Sequence, residues 1–475
     1  MNDSGDGMRQ KIEDWFKLHA DEMIKDLGRM LSVKSVKGLP EKGAPYGSGP
    51  RDGLAMARSM LEERGFTVSE FENIVITANT GPEPAKMGIL AHVDVVDAGD
   101  GWDTDPFNMT IKDDRIYGRG ALDNKGPTIA AMYAMYCVRE LLPDMKSGFQ
   151  LILGSGEELG CGDIVQYLEK NEPPTYVFTP DAGYPVVNTE KGRAAVFIGA
   201  SWEDEDQELP RVISITGGKT MNVVPDHAEA LIEGFRMDQL ETYCMISSAQ
   251  TGTNITVNAT EDGIIIAVEG KSTHAATPDL GVNAQTALID MLASMPFAES
   301  KGNGYIRALN RLFPHGDNKG KALGIEMSDD KTGALTVNFG VLRYTGKEFL
   351  CNFDSRTPAC ADETDLLAMI GAALEREGLK ITNSVLSKCH HTPEDSPFVQ
   401  TLLKIYSEYT GNPAECLTMG GQTYVHEIPG GVAFGCELPG TDNKIHSANE
   451  FIGVEQLIIS AEMFAQAIVE ICGVS

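Results

Sequence analysis

The segment MGILAHVDVV, residues 87–96, places the strongest constraint on the fold of this 475-residue chain. It is a short, continuous apolar run, which is typical of a strand buried on both faces of a sheet. A helix is predicted from Gly126-Pro127 to about Leu142. The buried strand FQLILGSG, a short helix and the strand TYVFTPD, which ends at Asp181, come next. This alternation predicts an α/β domain with a largely parallel sheet.

The pattern changes between about residues 190 and 390, where apolar residues alternate with polar ones, as in RVISITGG and ALTVNFGVLRY. Such alternation predicts half-buried strands of an antiparallel sheet. Two helical stretches, near 282–295 and 363–377, interrupt the predicted strands. The first pattern returns after about residue 395. We therefore predict one α/β domain, built from residues 1–189 and 391–475, that is interrupted by an inserted α+β domain at residues 190–390.

Composition and charge exclude several classes of protein. The chain has 69 Asp and Glu against 39 Lys and Arg, a formal net charge of −30, which does not favour binding to nucleic acid or anionic membranes. Its nine cysteines form no CxxC pair, so we expect reduced thiols in a cytoplasmic protein. We find no apolar signal core at the N-terminus and no run of about 18 apolar residues, so we expect neither a secreted precursor nor a membrane-spanning protein.

Acidic and imidazole side chains follow the predicted parallel strands. His92 and Asp94 close the first strand and, being two residues apart, point to the same face. Glu157 and Glu158 follow the second strand, and Asp181 ends the third. The carboxyl ends of parallel strands meet at one edge of a sheet, where α/β folds bind ligands. We therefore expect these five side chains to lie close together.

Two further residues extend this set. Asp123 precedes a predicted helix, and His446 lies just before the final one. Alone, Asp123 is explained better as a helix N-cap, and Asp181 is explained as a turn residue. Together, two imidazoles and three carboxylates without a thiolate suit Zn²⁺, Mn²⁺ or Co²⁺. A carboxylate shared by two ions would create a paired-metal site.

Four motifs carry a family resemblance: GILAHVDVV, YGRGALDNKGP, GSGEELG and KIHSANEF, with Asp181 before GYP. They resemble those of the co-catalytic metallopeptidases, the family of aminoacylases, carboxypeptidase G and dipeptidases, and most of all the peptidase V type of dipeptidase. The resemblance implies a split catalytic domain, here residues 1–189 and 391–475, and an inserted lid domain, residues 190–390. It also implies a metallo-dipeptidase, an exopeptidase that hydrolyses dipeptides with a water activated between two metal ions.

The resemblance further implies a role for each matching residue. Five would bind two divalent ions, Zn²⁺ with Mn²⁺ or Co²⁺ as alternatives: His92, Asp123, Glu158, Asp181 and His446. Asp123 would bridge the ions, with His92 and Asp181 on one and Glu158 and His446 on the other. Asp94 would orient the imidazole of His92. Glu157 would be the general base that takes a proton from water and delivers it to the leaving amine. The peptide bond after Asp123 would be cis.

Substrate contacts are implied in the same way. His274, in EGKSTHAATPDLGVNA, resembles the lid histidine that stabilises the oxyanion, and Asn222 is a second donor. Arg356, in CNFDSRTPA, resembles the arginine that holds the C-terminus of the substrate. Three residues of a Gly-rich loop offer further donors: Gly420, Gly421 and Thr423. In the peptidase V type, a lid of this length replaces a dimer partner, which implies a monomer.

Two other functions stay open at this point. An N-acyl-amino-acid deacylase needs the same metals and base but has no preference for a free α-amine. A metal-loaded protein that binds peptides without turnover is also compatible with the ligands, although the intact Glu157 argues against it. Under each of these hypotheses the partner is a small peptide-like molecule, and neither nucleic acid nor membrane is expected.

Overall fold

The computed structural model describes residues 3–203 and 208–473, with the side chains of residues 3–6 left aside. The chain divides into two compact units. The first unit contains the chain up to residue 189 together with 391–417 and the residues from 422 onward, and the second contains 190–390 and 418–421.

The helices and strands follow one another in a mixed order. Up to residue 190 they are α1 (Asp3–Leu31), α2 (Ser48–Glu63), β1 (Val68–Phe71), β2 (Val75–Thr80), β3 (Ala85–His92), β4 (Thr110–Lys112), β5 (Arg115–Tyr117), α3 (Lys125–Leu141), β6 (Gly148–Gly154), α4 (Gly162–Leu168), β7 (Tyr176–Thr179), β8 (Ala182–Gly183) and β9 (Val186–Glu190). Then come β10 (Gly192–Ser201), β11 (Arg211–Gly217), β12 (His227–Glu233), α5 (Met237–Thr251), β13 (Asn254–Thr260), β14 (Gly263–Glu269), α6 (Ala284–Ser294), α7 (Lys301–Leu312), β15 (Ser328–Asp329), β16 (Gly333–Ala334), β17 (Thr336–Thr345), β18 (Glu348–Thr357), α8 (Glu363–Arg376), β19 (Ile381–Ser387) and β20 (His390–His391). The last group is α9 (Pro397–Thr410), β21 (Cys416–Met419), β22 (Val432–Ala433), β23 (Cys436–Glu437), β24 (Phe451–Gly453) and α10 (Val454–Ile468).

A mixed sheet with a parallel centre forms the core of the first unit. Seven of its strands run in the order β1-β2-β6-β3-β7-β22-β9. Strand β3 pairs in parallel with β6 and with β7, and β22 pairs in parallel with β7. By contrast, β1 pairs antiparallel with β2, and β2 pairs antiparallel with β6. The carboxyl ends of β3, β6 and β7 therefore lie side by side, as the sequence predicted.

Helix α10 lies in the core of the first unit. The aromatic ring of Phe178 packs there against those of Phe434 and Phe464, with centroids 5.5 and 5.1 Å away. The centroids of Phe434 and Phe464 are 6.2 Å apart. By length and composition, the segment Val454–Gly473 is apolar enough to cross a membrane, but 72% of its apolar 18-residue stretch is buried inside the protein. Such burial is typical of a core helix, and each fully buried Phe adds about 1.5–3 kcal/mol of hydrophobic stabilisation.

The second unit is built on an antiparallel sheet of eight strands, in the order β13-β14-β12-β11-β17-β18-β10-β19. Its apolar face packs with residues of α6, α7 and α8 in a separate hydrophobic core. A parallel-centred sheet in one unit and an antiparallel sheet in the other confirm the predicted fold class.

The prediction of two helices between residues 190 and 390 was incomplete, because α5 and α7 also form there. Helix α5 is rich in Ser, Thr and Cys, and only Leu240, Ser247 and Thr251 are buried, so it lacks a continuous apolar stripe. Helix α7 begins KGNG, and Gly and Asn are weak helix formers. Helix α5 therefore depends on packing that composition alone does not show, whereas Ile306, Leu309 and Leu312 of α7 form a buried apolar stripe at helical spacing.

Candidate metal centre

His92 is the last residue of β3, and its side chain is fully buried. Its Nδ1 lies 3.0 Å from the carbonyl oxygen of Asp94. A carbonyl oxygen can only accept, so Nδ1 carries a proton, and in the neutral ring Nε2 then has the lone pair. That Nε2 is 3.2 Å from Asp123 Oδ1 and 3.4 Å from Asp181 Oδ2, and it makes no hydrogen bond with the described residues. A buried lone pair facing two carboxylates is an arrangement that a cation satisfies.

A second group of ligand atoms surrounds His446. Its Nε2 is 2.9 Å from Asp123 Oδ2 and 3.1 Å from Glu158 Oε1. Asp123 therefore faces His92 with one oxygen and His446 with the other. In each triplet, His92–Asp123–Asp181 and Asp123–Glu158–His446, the ligand atoms all lie within 4.8 Å of one another. One carboxylate common to two triplets is the geometry of a paired-metal site.

Asn124 connects Asp123 to the next ligand. Its Nδ2 donates to Asp181 Oδ1 at 2.8 Å and to the carbonyl of Pro180 at 3.1 Å. The peptide bond between Asp123 and Asn124 is cis, as the resemblance implied. The side chain of Asn124 is fully buried, so it fixes the rotamer of Asp181.

Glu450 holds the loop that leads to Asp123. This fully buried carboxylate accepts backbone N–H groups of Gly120, Leu122 and Asp123 at 3.1, 2.9 and 3.0 Å. It also accepts Arg119 Nη1 at 2.6 Å, and the Arg119 side chain is only 1% exposed. One buried ion pair thus determines where the carboxylate of Asp123 lies.

Asp94 holds the turn that carries the two adjacent glutamates. Its carboxylate accepts the backbone N–H of Glu158 at 3.1 Å and, more weakly, that of Glu157 at 3.4 Å. The same carboxylate is 3.4 Å from Nδ1 of His92. Asp94 therefore contacts both a candidate ligand and the backbone of the candidate base, which extends the orienting role expected of it.

Asp163 and Tyr424 stabilise the residues just before the two glutamates. Asp163 Oδ2 accepts the N–H groups of Ser155 and Gly156 at 2.7 and 2.8 Å and the hydroxyl of Tyr424 at 2.5 Å. A Cβ at Gly154 would lie 2.1 Å from that hydroxyl oxygen, so the first glycine of GSGEELG leaves the room that Tyr424 occupies. The ring of Tyr424 also packs edge-on against His92, with centroids 6.1 Å apart.

The carboxylates of this centre repel one another. Burial and the charge of Asp123 raise the pKa of Glu158 to about 7. Burial and the charge of Asp181 raise the pKa of Glu157 well above its usual range. Burial would lower the pKa of His446, but its hydrogen bonds to Asp123 and Glu158 raise it to about 11. A cation beside these carboxylates would relieve their repulsion. Divalent metal ions can supply that positive charge.

Glu437 is a further acidic group near these ligands. Strand β23 pairs with β8, and Glu437 is the partner of Gly183, two residues beyond Asp181. Burial, followed by the charges of Asp123 and Asp181, raises the pKa of Glu437 to about 7. Neither metal-ligand triplet contains Glu437.

The predicted substrate contacts fall in both units. In the second unit, the Asn222 carbonyl accepts the N–H of Ala275 at 2.8 Å, which places Asn222 beside the exposed His274. Arg356 Nη1 donates to the Gly420 carbonyl at 2.8 Å, and its Nε donates to Asp354 Oδ1 at 2.7 Å. Gly421 belongs to the second unit, whereas Thr423 belongs to the first, where it is buried.

The supporting residues Asn124, Asp163, Tyr424 and Glu450 were not predicted from the sequence. Asn124 and Glu450 stand inside GALDNKGP and HSANEF, so those motifs held a usable signal. Asp163 and Tyr424 are 261 residues apart, and their contact exists only in the folded chain.

Comparison with known proteins identifies a family. Residues 88–470 match the model of Peptidase family M20/M25/M40. Two proteins named "Putative dipeptidase" are similar along nearly their whole length. The one from Bacillus subtilis (strain 168) is 33% identical, covering 95% of this chain and 97% of its own. The one from Staphylococcus haemolyticus (strain JCSC1435) is 31% identical, covering 98% and 99%.

Two solved structures share the fold. Human carnosine dipeptidase 1 has a TM-score of 0.61 at 17% identity, covering 98% of this chain and 99% of its own. The di-peptidase Dug1p from Saccharomyces cerevisiae has a TM-score of 0.57 at 14% identity, covering 98% of each chain. At these identities the likeness concerns the fold alone.

Replacing Glu450 by Gln tests the support of the Asp123 loop. Breaking a buried ion pair costs about 3–5 kcal/mol, because Arg119 keeps an uncompensated buried charge. We expect urea denaturation of E450Q, measured with chelator present so that metal binding does not contribute, to show a loss in that range.

Glu72→Gln is the matched control, since Glu72 pairs with Lys170 at the surface, with side chains 59% and 60% exposed. Exposed pairs contribute about 0–1 kcal/mol. Equal losses of stability in E450Q and E72Q would contradict the role given to Glu450.

Proposed function

The chain belongs to Peptidase family M20/M25/M40, and from that premise we propose that it is a dipeptidase that acts with two divalent metal ions, Zn²⁺ with Mn²⁺ or Co²⁺ as alternatives. The observation that carries the proposal is the carboxylate of Asp123, which is common to two ligand triplets. The names of the two curated relatives point to the same activity.

The proposed ligands divide around Asp123. His92 and Asp181 would hold one ion with it, and Glu158 and His446 would hold the other. Oxygen and imidazole donors without a thiolate suit the metals named above. When bound, the two ions would supply positive charge that polarises the peptide carbonyl and acidifies the attacking water.

Glu157 is the proposed general base. It belongs to neither ligand triplet, and its raised pKa fits a carboxylate that accepts a proton and later releases it. It would take the proton of the attacking water and deliver it to the leaving amine. Asp94 would keep it in place through the backbone of the Glu157–Glu158 turn and would also orient His92.

The second unit would contribute substrate contacts. His274 and Asn222, which lie side by side, would donate hydrogen bonds to the developing oxyanion. Arg356, with the Gly-rich loop residues Gly420, Gly421 and Thr423, would bind the C-terminal carboxylate of the substrate.

Glu437 supports a substrate with a free α-amine. An ammonium group would balance its charge beside Asp123 and Asp181, whereas an N-acyl group would leave that charge unbalanced. The proposal therefore favours dipeptides over N-acyl amino acids.

We further propose a cytoplasmic monomer that binds neither nucleic acid nor membrane. All nine cysteines are free thiols, which fits a reducing compartment, and the net charge of −30 opposes binding to anionic polymers. The long lid, by its resemblance to the peptidase V type, supports the monomer.

Hydrolysis of a dipeptide panel tests the activity. The panel includes N-acetyl amino acids, and each assay is run with Zn²⁺, with Mn²⁺ and with chelator. We expect metal-dependent cleavage of dipeptides with a free α-amine. Cleavage confined to the acetylated compounds would identify a deacylase, and no cleavage of either class would contradict a dipeptidase.

The adjacent glutamates offer a matched pair of variants. Glu157→Gln should lower kcat by about 10²–10⁴-fold, the range of general acid–base catalysis, while the metal content stays unchanged. Glu158→Gln should reduce metal content together with activity, because a proposed ligand is altered. Metal content measured by mass spectrometry separates the two, and loss of metal from E157Q would show that Glu157 is a ligand instead.

A further inference from the structure

Two arginines lie on one face of the antiparallel sheet in the second unit. Arg193 of β10 and Arg356 of β18 are direct cross-strand partners, so their side chains project from the same face. Ala194, one residue after Arg193, and Phe353, three residues before Arg356, belong to the apolar core, and these odd spacings place the arginines on the opposite face. This face can therefore present two guanidinium groups together.

A single buried carboxylate joins the two guanidinium groups. Arg193 Nε donates to Asp354 Oδ2 at 2.7 Å, and Arg356 Nε donates to Asp354 Oδ1 at 2.7 Å. The Asp354 side chain is completely buried between them. Two cations and one anion leave one positive charge in this trio, which a single carboxylate of a ligand would neutralise.

Arg193 offers the more accessible donors of the trio. Arg356 is 4% exposed, and its Nε, Nη1 and Nη2 are directed at Asp354 and the Gly420 carbonyl. The side chain of Arg193 is 30% exposed. Beyond Asp354, its Nη2 contacts the Met221 sulfur at 3.9 Å, and a thioether is a weak acceptor. Several of its five N–H donors thus remain for a ligand.

Arg193 also lies beside the proposed substrate contacts. The contact with Met221 joins it to the residue just before Asn222. The Asn222 carbonyl in turn accepts the N–H of Ala275, next to His274. A peptide held by Asn222 and His274 would therefore have the remaining N–H donors of Arg193 close by.

We propose that Arg193 is a second arginine for the C-terminal carboxylate of the substrate and that Asp354 holds its guanidinium in orientation. A planar fork of N–H donors matches the two oxygens of a carboxylate. The inference rests on the proposed function, since it takes the substrate to be a peptide with a free C-terminus. It makes Arg193 a determinant of specificity for that terminus.

Binding of an uncleavable dipeptide tests this role apart from catalysis. The probe is the reduced isostere of Ala-Ala, with CH₂–NH in place of the peptide CO–NH, and its C-terminal amide. We expect calorimetry on the metal-loaded wild-type protein to give tighter binding of the acid. Arg193→Ala should weaken the acid by about 10–100-fold, the range for charge-assisted hydrogen bonds, and leave the amide nearly unchanged.

Two further variants serve as controls. Arg193→Lys keeps the charge without the fork and should recover part of the discrimination between acid and amide. Arg211→Ala removes a similarly exposed arginine of the same sheet, 24% exposed and paired with Glu233, and should behave like the wild-type protein. Circular dichroism checks that each variant is folded.

Equal weakening of acid and amide by Arg193→Ala would overturn the inference, as would a wild-type protein that binds the two equally or binds neither. Hydrolysis of Ala-Ala by the wild-type protein, assayed in parallel, reports on the proposed function separately. If the wild-type protein hydrolyses Ala-Ala but Arg193→Ala does not change the preference for acid over amide, the inference is wrong and the proposed function stands.

Discussion

The electrostatic repulsion among the carboxylates grouped just after β6 and β7 and just before α3 is the constraint on which the first unit depends. Within the described part of the chain, Asp123, Glu158 and Asp181 lie within reach of two imidazoles, those of His92 and His446. Groups of like charge in a buried site raise one another's pKa, and cations relieve that cost. The proposed pair of metal ions is the solution that this arrangement favours.

Much of the surrounding structure fixes the position of these charges. Glu450 holds the backbone before Asp123, and Asn124 holds Asp181. Asp94 and Asp163 accept the backbone N–H groups of the residues after and before Glu157, which are Glu158 and Gly156. Each of these contacts is a hydrogen bond donated by an N–H group. The fold itself therefore groups the ligand atoms. Such organisation lowers the entropic cost of binding and explains why sequence motifs surround each proposed ligand.

The fold class and the grouping of the candidate ligands could be predicted because both follow from local patterns. Continuous apolar runs marked β3, β6 and β7, and parallel pairing brings their ends together whatever the details of packing. The family resemblance read from those motifs is confirmed by the match over residues 88–470. The assignment of ligands, base and substrate contacts to individual residues stays a prediction.

Other features were beyond the sequence for physical reasons. Helix α5 has no apolar stripe, and its existence depends on the sheet beneath it. The contact of Tyr424 with Asp163 and the pairing of Arg193 with Asp354 join distant segments, and neither has a local pattern. The ion pair between Arg356 and Asp354 could not be predicted from the sequence either, although the two residues are only two positions apart.

Metal stoichiometry tests most directly whether the carboxylate of Asp123 serves two metal ions. The metal-stripped protein is titrated with Zn²⁺ and the bound ions are counted, for the wild-type chain and for Asp123→Ala. We expect two ions per chain in the wild-type protein and loss of high-affinity binding of both in the variant. A wild-type protein that binds a single ion, or a variant that still binds two, would contradict the account.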